Sequence, residues 1–342
     1  MNASSFFDKL VLDFPNLSSI SLYTEDCSLT SDSENDECTS TVDSANNDTH
    51  AKEKEENCKR KIFLFYERLL IDLMIKYSVT FSDVTRSAQH VISNYRQIDN
   101  GDLPPEIDYT KKENCLAYLH RYALCHMALV TEAVIDIFES SSSTILTSKL
   151  DNRTLNVVFL GGGPGNDFVG FLTALNGRHD RLLDLDVTIV DKTSGWEDIF
   201  TETINKLRKD SYQKGGLFLD KVNVIPTFIE ADLAKDDEWT EEMKRKLKNA
   251  DIVFLVKVLS HMPDICKLFV LVNIVGCLKM GALLVYMDYP YPRSVFSFVS
   301  SHLKEEYSSW KDRYRLDFQY SGLFGCSNIT TCRANVKVFE RY

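Results

Sequence analysis

The chain has no excess of basic residues: 39 Lys and Arg stand against 50 Asp and Glu, for a net charge of −11. Nor is its acidity spread evenly. Residues 1–60 hold 13 acidic and 5 basic side chains, so the remainder carries only −3. A body this close to neutral neither announces a nucleic-acid surface nor rules out a local basic groove. Nine cysteines (27, 38, 58, 115, 125, 266, 277, 326 and 332) include no C-x-x-C pair and no histidine at zinc-ligand spacing. No metal site is expected, and an odd set of unpaired thiols fits a reducing compartment. No apolar stretch approaches the roughly 18 residues of a membrane span, and MNASSFFDKLVLDF lacks a basic n-region. The expected location is therefore intracellular, cytoplasmic or nuclear, without membrane association. There is no internal repeat, and nothing in the chain indicates its oligomeric state.

What is present falls into three parts. Residues 1–60 are Ser, Thr, Asp, Asn and Glu with few large apolar side chains, too little to offset the entropy of ordering, and read as a disordered acidic arm. One apolar island, Phe6–Phe14, is either a docking peptide or a helical turn packed on the body. Residues 61–150 read as a helical annex. Phe65, Leu69, Leu73 and Tyr77 recur at helical spacing, a second helix starts at a Ser82 cap and runs through Ile92, and after a Gly101–Pro105 break a long helix spans Lys111–Phe138. The run Ser140–Thr144 reads as a loop.

From residue 151 the pattern changes. Short apolar runs at Asn156–Leu160, Val187–Val190, Val222–Ile229, Ile252–Val256 and Ala282–Met287 alternate with helical stretches. This is the form of a doubly wound α/β sheet of buried parallel strands. A further helix is expected around 294–309, then two strands, Tyr314–Tyr320 and Asn335–Glu340, forming a terminal hairpin.

The sharpest local signal is the turn after the first run, Phe159-Leu160-Gly161-Gly162-Gly163-Pro164-Gly165-Asn166-Asp167. Glycines let a ligand approach the backbone, and a helix N-terminus behind them offers free N–H groups and the positive dipole end. A P-loop would need Gly-Lys-Ser/Thr, which is missing. A dinucleotide loop would need glycine where Asn166 stands. A purely structural turn stays open. The second strand ends on Asp191, where a carboxylate can accept from both ribose hydroxyls, and the third ends near Asp232. Either aspartate alone could equally be a helix cap or turn acid.

With Gly161-x-Gly163-x-Gly165 and the two aspartates in order, residues 151–342 resemble a class I S-adenosylmethionine-dependent methyltransferase. The resemblance implies a Rossmann-like, doubly wound seven-stranded sheet in the order 3-2-1-4-5-7-6 with strand 7 antiparallel. It implies S-adenosylmethionine as cofactor, with Gly161, Gly162, Gly163 and Gly165 at its methionine part, Asp191 at the ribose, and Asp232, Leu233 and Val256 around the adenosyl group. One departure stands out: the family's acidic residue two positions before the first glycine is Phe159 here, with Asp167 a candidate substitute. The glycine-rich turn and the Tyr-rich helix before it are similar, at a distance, to those of fungal large-subunit ribosomal RNA uridine methyltransferases.

In-line methyl transfer needs alignment more than a fixed side chain, so a base is required only for an unreactive acceptor. The candidates at the carboxyl edge are His261, Asp288 and Tyr289, with Lys257 read as a solvated edge residue. Asp288-Tyr289-Pro290-Tyr291-Pro292 compares with the D-P-P-Y box of amino-methylating enzymes, yet its order and strand differ, so it reads as a rigid loop with two aromatic faces. Tyr118, His120, Arg121, Tyr122 and His126 lie where the family keeps a lid over the cofactor, and Arg121 could pair with its carboxylate. The acidic arm and annex favour RNA or protein as methyl acceptor. A non-catalytic scaffold of the same fold and a nucleotide-dependent oxidoreductase stay open as alternatives.

Overall fold

The computed structural model describes residues 62, 64–99, 107–176, 178, 181–211, 222–289, 294–315, 329 and 331–342. The acidic arm with its Phe6–Phe14 island, the Gly101–Pro105 break, the segment Pro290–Pro292 and residues 316–320 of the expected terminal strand lie outside the described residues.

A helix over 64–77 (α1) opens the described chain, followed by α2 (Phe81–Asp99), α3 (Lys112–Glu139) and α4 (Ser143–Leu150). The cap of α2 is Thr80, not the expected Ser82. The Asp83 N–H donates to Thr80 Oγ1 at 3.2 Å and the Thr80 N–H to Asp83 Oδ2 at 3.1 Å. This reciprocal box satisfies two free donors, whereas Ser82 sits inside the first turn. The stretch expected as a loop from Ser140 is shorter than anticipated, because Ser143 already begins α4.

The sheet then runs β1 (Thr154–Leu160), β2 (Asp184–Asp191), β3 (Asn223–Glu230), β4 (Ile252–Val256), β5 (Leu283–Asp288), β6 (Leu303–Arg315) and β7 (Thr331–Arg341). The intervening helices are α5 (Asn166–Leu175), α6 (Gly195–Ser211), α7 (Glu241–Asn249), α8 (Asp264–Cys277) and the single turn α9 (Ser294–Ser297). All seven strands form one sheet in the order β3-β2-β1-β4-β5-β7-β6. The first five pair in parallel, while β7 is antiparallel to both β5 and β6. This is the expected class I methyltransferase sheet order.

The helix expected around 294–309 is confined to Ser294–Ser297, and β6 begins at Leu303, eleven residues before the expected strand. Leu303-Lys-Glu-Glu-Tyr-Ser-Ser-Trp has no apolar face at helical spacing, and as an edge strand it can turn its charges to water. Pairing with β7, from Leu303 opposite Arg341 to Arg315 opposite Thr331, decides its conformation.

Alternation along the strands builds two cores. In β1, Val157 and Phe159 face a cluster shared with α1 to α6, while Val158 and Leu160 face one shared with α7 and α8. The helical annex therefore shares a core with one face of the sheet. Helices α3 and α5 approach closely at Gly170 of α5, where a Cβ would stand 2.4 Å from the Met127 carbonyl oxygen of α3. Gly170→Ala should therefore force the two helices apart and destabilise the fold by about 1–3 kcal/mol, the usual range for overpacking. The check is a urea titration, with a lower midpoint and unchanged slope expected.

Candidate functional site

Five parallel strands place their carboxyl ends on one edge, and the sheet order reverses between β1 and β4, the position at which open α/β sheets leave a crevice. Because β7 is antiparallel to β5, the start of β7 arrives at the same edge. Helices α2 and α3 cross above. Between them lies a cleft of about 1020 Å³, at the upper end of the roughly 300–1,000 Å³ of small-molecule sites.

The floor is the β1–α5 turn. Gly161, Gly163 and Gly165 have φ of 66°, 49° and 87°, in the left-handed region that favours glycine. A Cβ at Gly161 would meet Val258 Cγ2 at 2.5 Å, and one at Gly165 would meet Phe200 Cδ2 at 2.7 Å. The turn is closed by the Gly161 N–H to Val190 O at 2.7 Å and the Gly165 N–H to Gly162 O at 2.9 Å. Gly161, Gly162 and Gly163 line the cleft; Gly165 instead caps α5 behind them.

Asp191, ending β2, points back at this turn. Its Oδ2 accepts from the Gly163 N–H at 3.0 Å and its Oδ1 from the Thr193 N–H at 3.2 Å. Burial nevertheless pushes its carboxyl from an ordinary 3.8 up to about 6, against the pull of those two donors. Asp232, Leu233 and Val256 also line the cleft. Asp232 Oδ1 accepts from the Ala234 N–H at 3.0 Å, and the indole of Trp239 donates to Leu233 O at 3.0 Å, which fixes that loop.

Phe159 makes no approach to the cleft. Its ring is fully buried and stacks on Phe254 at 4.8 Å with an interplanar angle of 10°. Asp167, in the first turn of α5, does line the cleft; only 6% exposed, it accepts no hydrogen bond among the described residues, and burial raises its pKa well above the ordinary value. A buried carboxylate in that state gains most from a cationic partner.

The roof is aromatic. Tyr118, Arg121, Tyr122, Cys125 and His126 of α3 occur at i, i+3, i+4, i+7 and i+8, and so share the face turned to the cleft. His120 of the same helix points into the core instead. Tyr95 of α2 donates or accepts across 3.0 Å to Tyr109, and Tyr109 and Tyr118 flank Trp196 at ring distances of 4.8 and 5.3 Å. Tyr118 Oη is 3.1 Å from His126 Nδ1. Burial holds His126 near 3 and also lowers His261, so both imidazoles stay neutral at pH 7. Tyr95, Tyr109 and Trp196 were not singled out from the sequence; they come from three separate segments, and no spacing links them.

Of the candidate catalytic residues, His261 and Tyr289 line the cleft. His261 meets the Tyr95 ring edge-on at 5.4 Å. Asp288 does not reach it: the residue is 0% exposed, with Oδ2 accepting from the Ser260 N–H at 3.0 Å and Oδ1 from the Tyr289 N–H at 2.7 Å. It is a brace between β5 and the turn after β4, which corrects its expected catalytic role. Lys257 is likewise not the solvated edge residue expected. It is 9% exposed, adopts φ of 54°, donates to Arg333 O, and holds its ammonium 3.9 Å above the Tyr289 ring. A left-handed non-glycine residue costs about 1–2 kcal/mol, which the surrounding contacts must offset. With Arg96, Arg121, Lys192 and Arg333 it puts cations in the lining of the cleft, alongside the carboxylates of Asp167, Asp191 and Asp232.

Among the described residues no helix is long and apolar enough to cross a membrane, and no cluster of three metal-ligating side chains occurs.

Folded Asp191 takes up its proton near pH 6 and the unfolded chain near 3.8, so protonation favours the folded state. As the pH falls through that window the wild type should gain stability relative to Asp191→Asn. Thermal melts at stepped pH test this, and parallel Tm profiles for the two proteins would contradict it.

No protein-family model matches this chain, and neither does any curated protein. Among solved structures, magnesium protoporphyrin IX methyltransferase from Synechocystis, with S-adenosylmethionine bound, is 13% identical over 77% of this chain and 99% of its own, with a TM-score of 0.39. An O-methyltransferase family protein from Burkholderia thailandensis is 14% identical over 77% of this chain and 72% of its own, at a TM-score of 0.39. An rRNA methylase from Streptococcus thermophilus is 15% identical over 58% of this chain and 93% of its own, at a TM-score of 0.31. Overlaps this loose carry no statement about chemistry, which rests on the cleft itself.

Proposed function

We propose that the protein is an S-adenosylmethionine-dependent methyltransferase acting on a macromolecular acceptor, RNA or protein. The observation that carries this reading is the pairing of a side-chain-free turn with Asp191: the Gly163 N–H and the Asp191 carboxylate sit 3.0 Å apart at the crevice of the sheet. The residues present fit the cofactor. Asp191 would accept from its ribose hydroxyls, Asp232 and Leu233 would border its adenine, and the buried Asp167 would meet its amino group in place of the carboxylate that Phe159 does not provide. The bound cofactor supplies an electrophilic methyl group on a sulfonium.

The chain's own residues would do the rest. The roof of Tyr95, Tyr118, Tyr122 and Trp196 excludes water and offers ring faces to a cation or a planar base. His261, kept neutral by burial, would take a proton from the acceptor. Arg121, Lys257 and Arg333 suit an acceptor that carries anionic groups, which favours RNA over a neutral peptide. The second reading, a non-catalytic scaffold, is favoured by one observation: the position of the family's acidic residue is a core phenylalanine.

Calorimetric titration separates the two. The full chain should bind S-adenosylmethionine and S-adenosylhomocysteine and not NAD, with affinity falling below pH 6 as Asp191 loses its charge. Gly163→Val, which strains φ of 49° and projects methyl groups toward Asp191, should abolish binding, and Asp191→Ala should weaken it by about tenfold or more. Unchanged affinity in both variants would sink the cofactor assignment. Given binding, labelled-methyl transfer to separated RNA and protein fractions identifies the acceptor. His261→Ala should then lower kcat by about 10²–10⁴ with cofactor binding intact.

A further inference from the structure

Methyl transfer makes no use of two thiols that lie together in the cleft. Cys125 comes from the roof helix α3 and Cys332 from the start of β7, and both line the cavity. The two thiols act on one another and the Lys257 ammonium acts on Cys332, whose Sγ also donates to Arg333 O at 3.8 Å. The two segments are pinned where they cross, since the Ile329 N–H donates to Arg121 O at 2.9 Å, one helical turn before Cys125 and three residues before Cys332. Cys125 is 4% exposed yet belongs to neither hydrophobic cluster, and Cys332 is half-buried, so an oxidant in the cleft reaches Cys332 first.

The chemistry of the pair is asymmetric. Cys332 is held below the ordinary thiol value, first by its interaction with Cys125 and then, against burial, by the Lys257 ammonium, whereas that same interaction and burial push Cys125 up. The other described cysteines lack such a setting. Cys115 donates to Tyr109 O at 3.0 Å, and burial raises it to about 12. A thiolate-prone cysteine in contact with a second thiol, beside a cation, is the arrangement of a redox-sensing pair.

We propose that Cys125 and Cys332 are a modification site for hydroperoxides, oxidised to a disulfide that ties the roof of the cleft to the sheet. The Cys332 thiolate attacks the hydroperoxide, the O–O bond breaks, the alcohol or water departs, and the sulfur becomes a sulfenic acid. The Cys125 sulfur then attacks it. An S–S bond forms, the S–O bond breaks, and the oxygen leaves as water with the Cys125 proton. Two thiols and one hydroperoxide thus give one disulfide, water and the reduced peroxide, and a thiol reductant such as glutathione reverses the change. In a reducing compartment such a bond is transient and regulatory rather than structural. Helix α3 carries the tyrosines and β7 carries Arg333, so the bond would hold the two sides of the acceptor end in one arrangement.

The test does not depend on methyl transfer. The full-length protein is treated with about one equivalent of hydrogen peroxide, alkylated, digested and mapped by mass spectrometry. A Cys125–Cys332 cross-link, removed by dithiothreitol, is the expected result. In Cys125→Ser, which keeps a small polar side chain, Cys332 should stop at the sulfenic acid and be trapped by dimedone. In Lys257→Gln, alkylation of Cys332 by iodoacetamide at pH 7 should slow several-fold while that of Cys115 does not change. Should Cys125→Ser melt early, Cys332→Ser serves instead: its Cys125 should resist peroxide altogether. A cross-link from Cys332 to any other cysteine, over-oxidation of Cys332 with Cys125 intact in the wild type, or unreacted thiols would each overturn the proposal.

Discussion

The turn from β1 into α5 leaves no room for side chains, and the cleft is arranged around that steric limit. Val258 presses on Gly161 from the β4 side and Phe200 on Gly165 from α6, while three residues of the turn hold positive φ. The backbone itself therefore lines the crevice, and of its N–H groups the one on Gly163 takes a carboxylate as partner. Asp191 occupies that place, and its two backbone donors only partly offset the burial that raises its pKa. The charge that the site holds at neutral pH is thus costly in the free protein and becomes favourable when hydroxyl donors arrive.

The charged groups of the cleft arrive from different elements of the sheet and its roof. Carboxylates come from the ends of β2 and β3 and from α5, all on one side of the point where the strand order reverses. Cations come from the turn after β4 and from β7 on the other side, and also from α2, α3 and Lys192 after β2. Lys257 shows how firmly this second half is built: a left-handed backbone and a buried ammonium are both held by contacts to Arg333 and the Tyr289 ring. Antiparallel β7 is what brings Arg333 and Cys332 to an edge otherwise made of parallel carboxyl ends. The roof completes the enclosure, since one face of α3 carries two tyrosines, a histidine and a cysteine at helical spacing.

Much of the sheet was legible because its central strands β1, β4 and β5 are apolar runs buried on both faces, a pattern that neither amphipathic helices nor surface loops produce. The glycine turn and Asp191 were legible because steric exclusion and strand-end position leave local marks. Failures fall where local sequence is neutral. Leu303–Arg315 has weak preference of either kind, and only the open edge of β7 makes it a strand. Thr80 and Ser82 are equally good caps in isolation, and the position of Asp83 chose between them. Asp288 at a strand end resembles a catalytic acid until its two backbone donors are seen to occupy it.

By itself the sequence determined the alternation of strands and helices, the glycine turn and the acidic residue at the end of β2, since each follows from periodicity or from excluded volume within a few residues. Tertiary structure alone decided that Tyr95, Tyr109, Tyr118 and Trp196 form one roof, that Phe159 turns away from the cleft while Asp167 turns into it, and that Cys125 meets Cys332. These pairs are far apart along the chain, and contacts of that kind are set by the closing of the sheet and the packing of α3 across it, which no local pattern encodes.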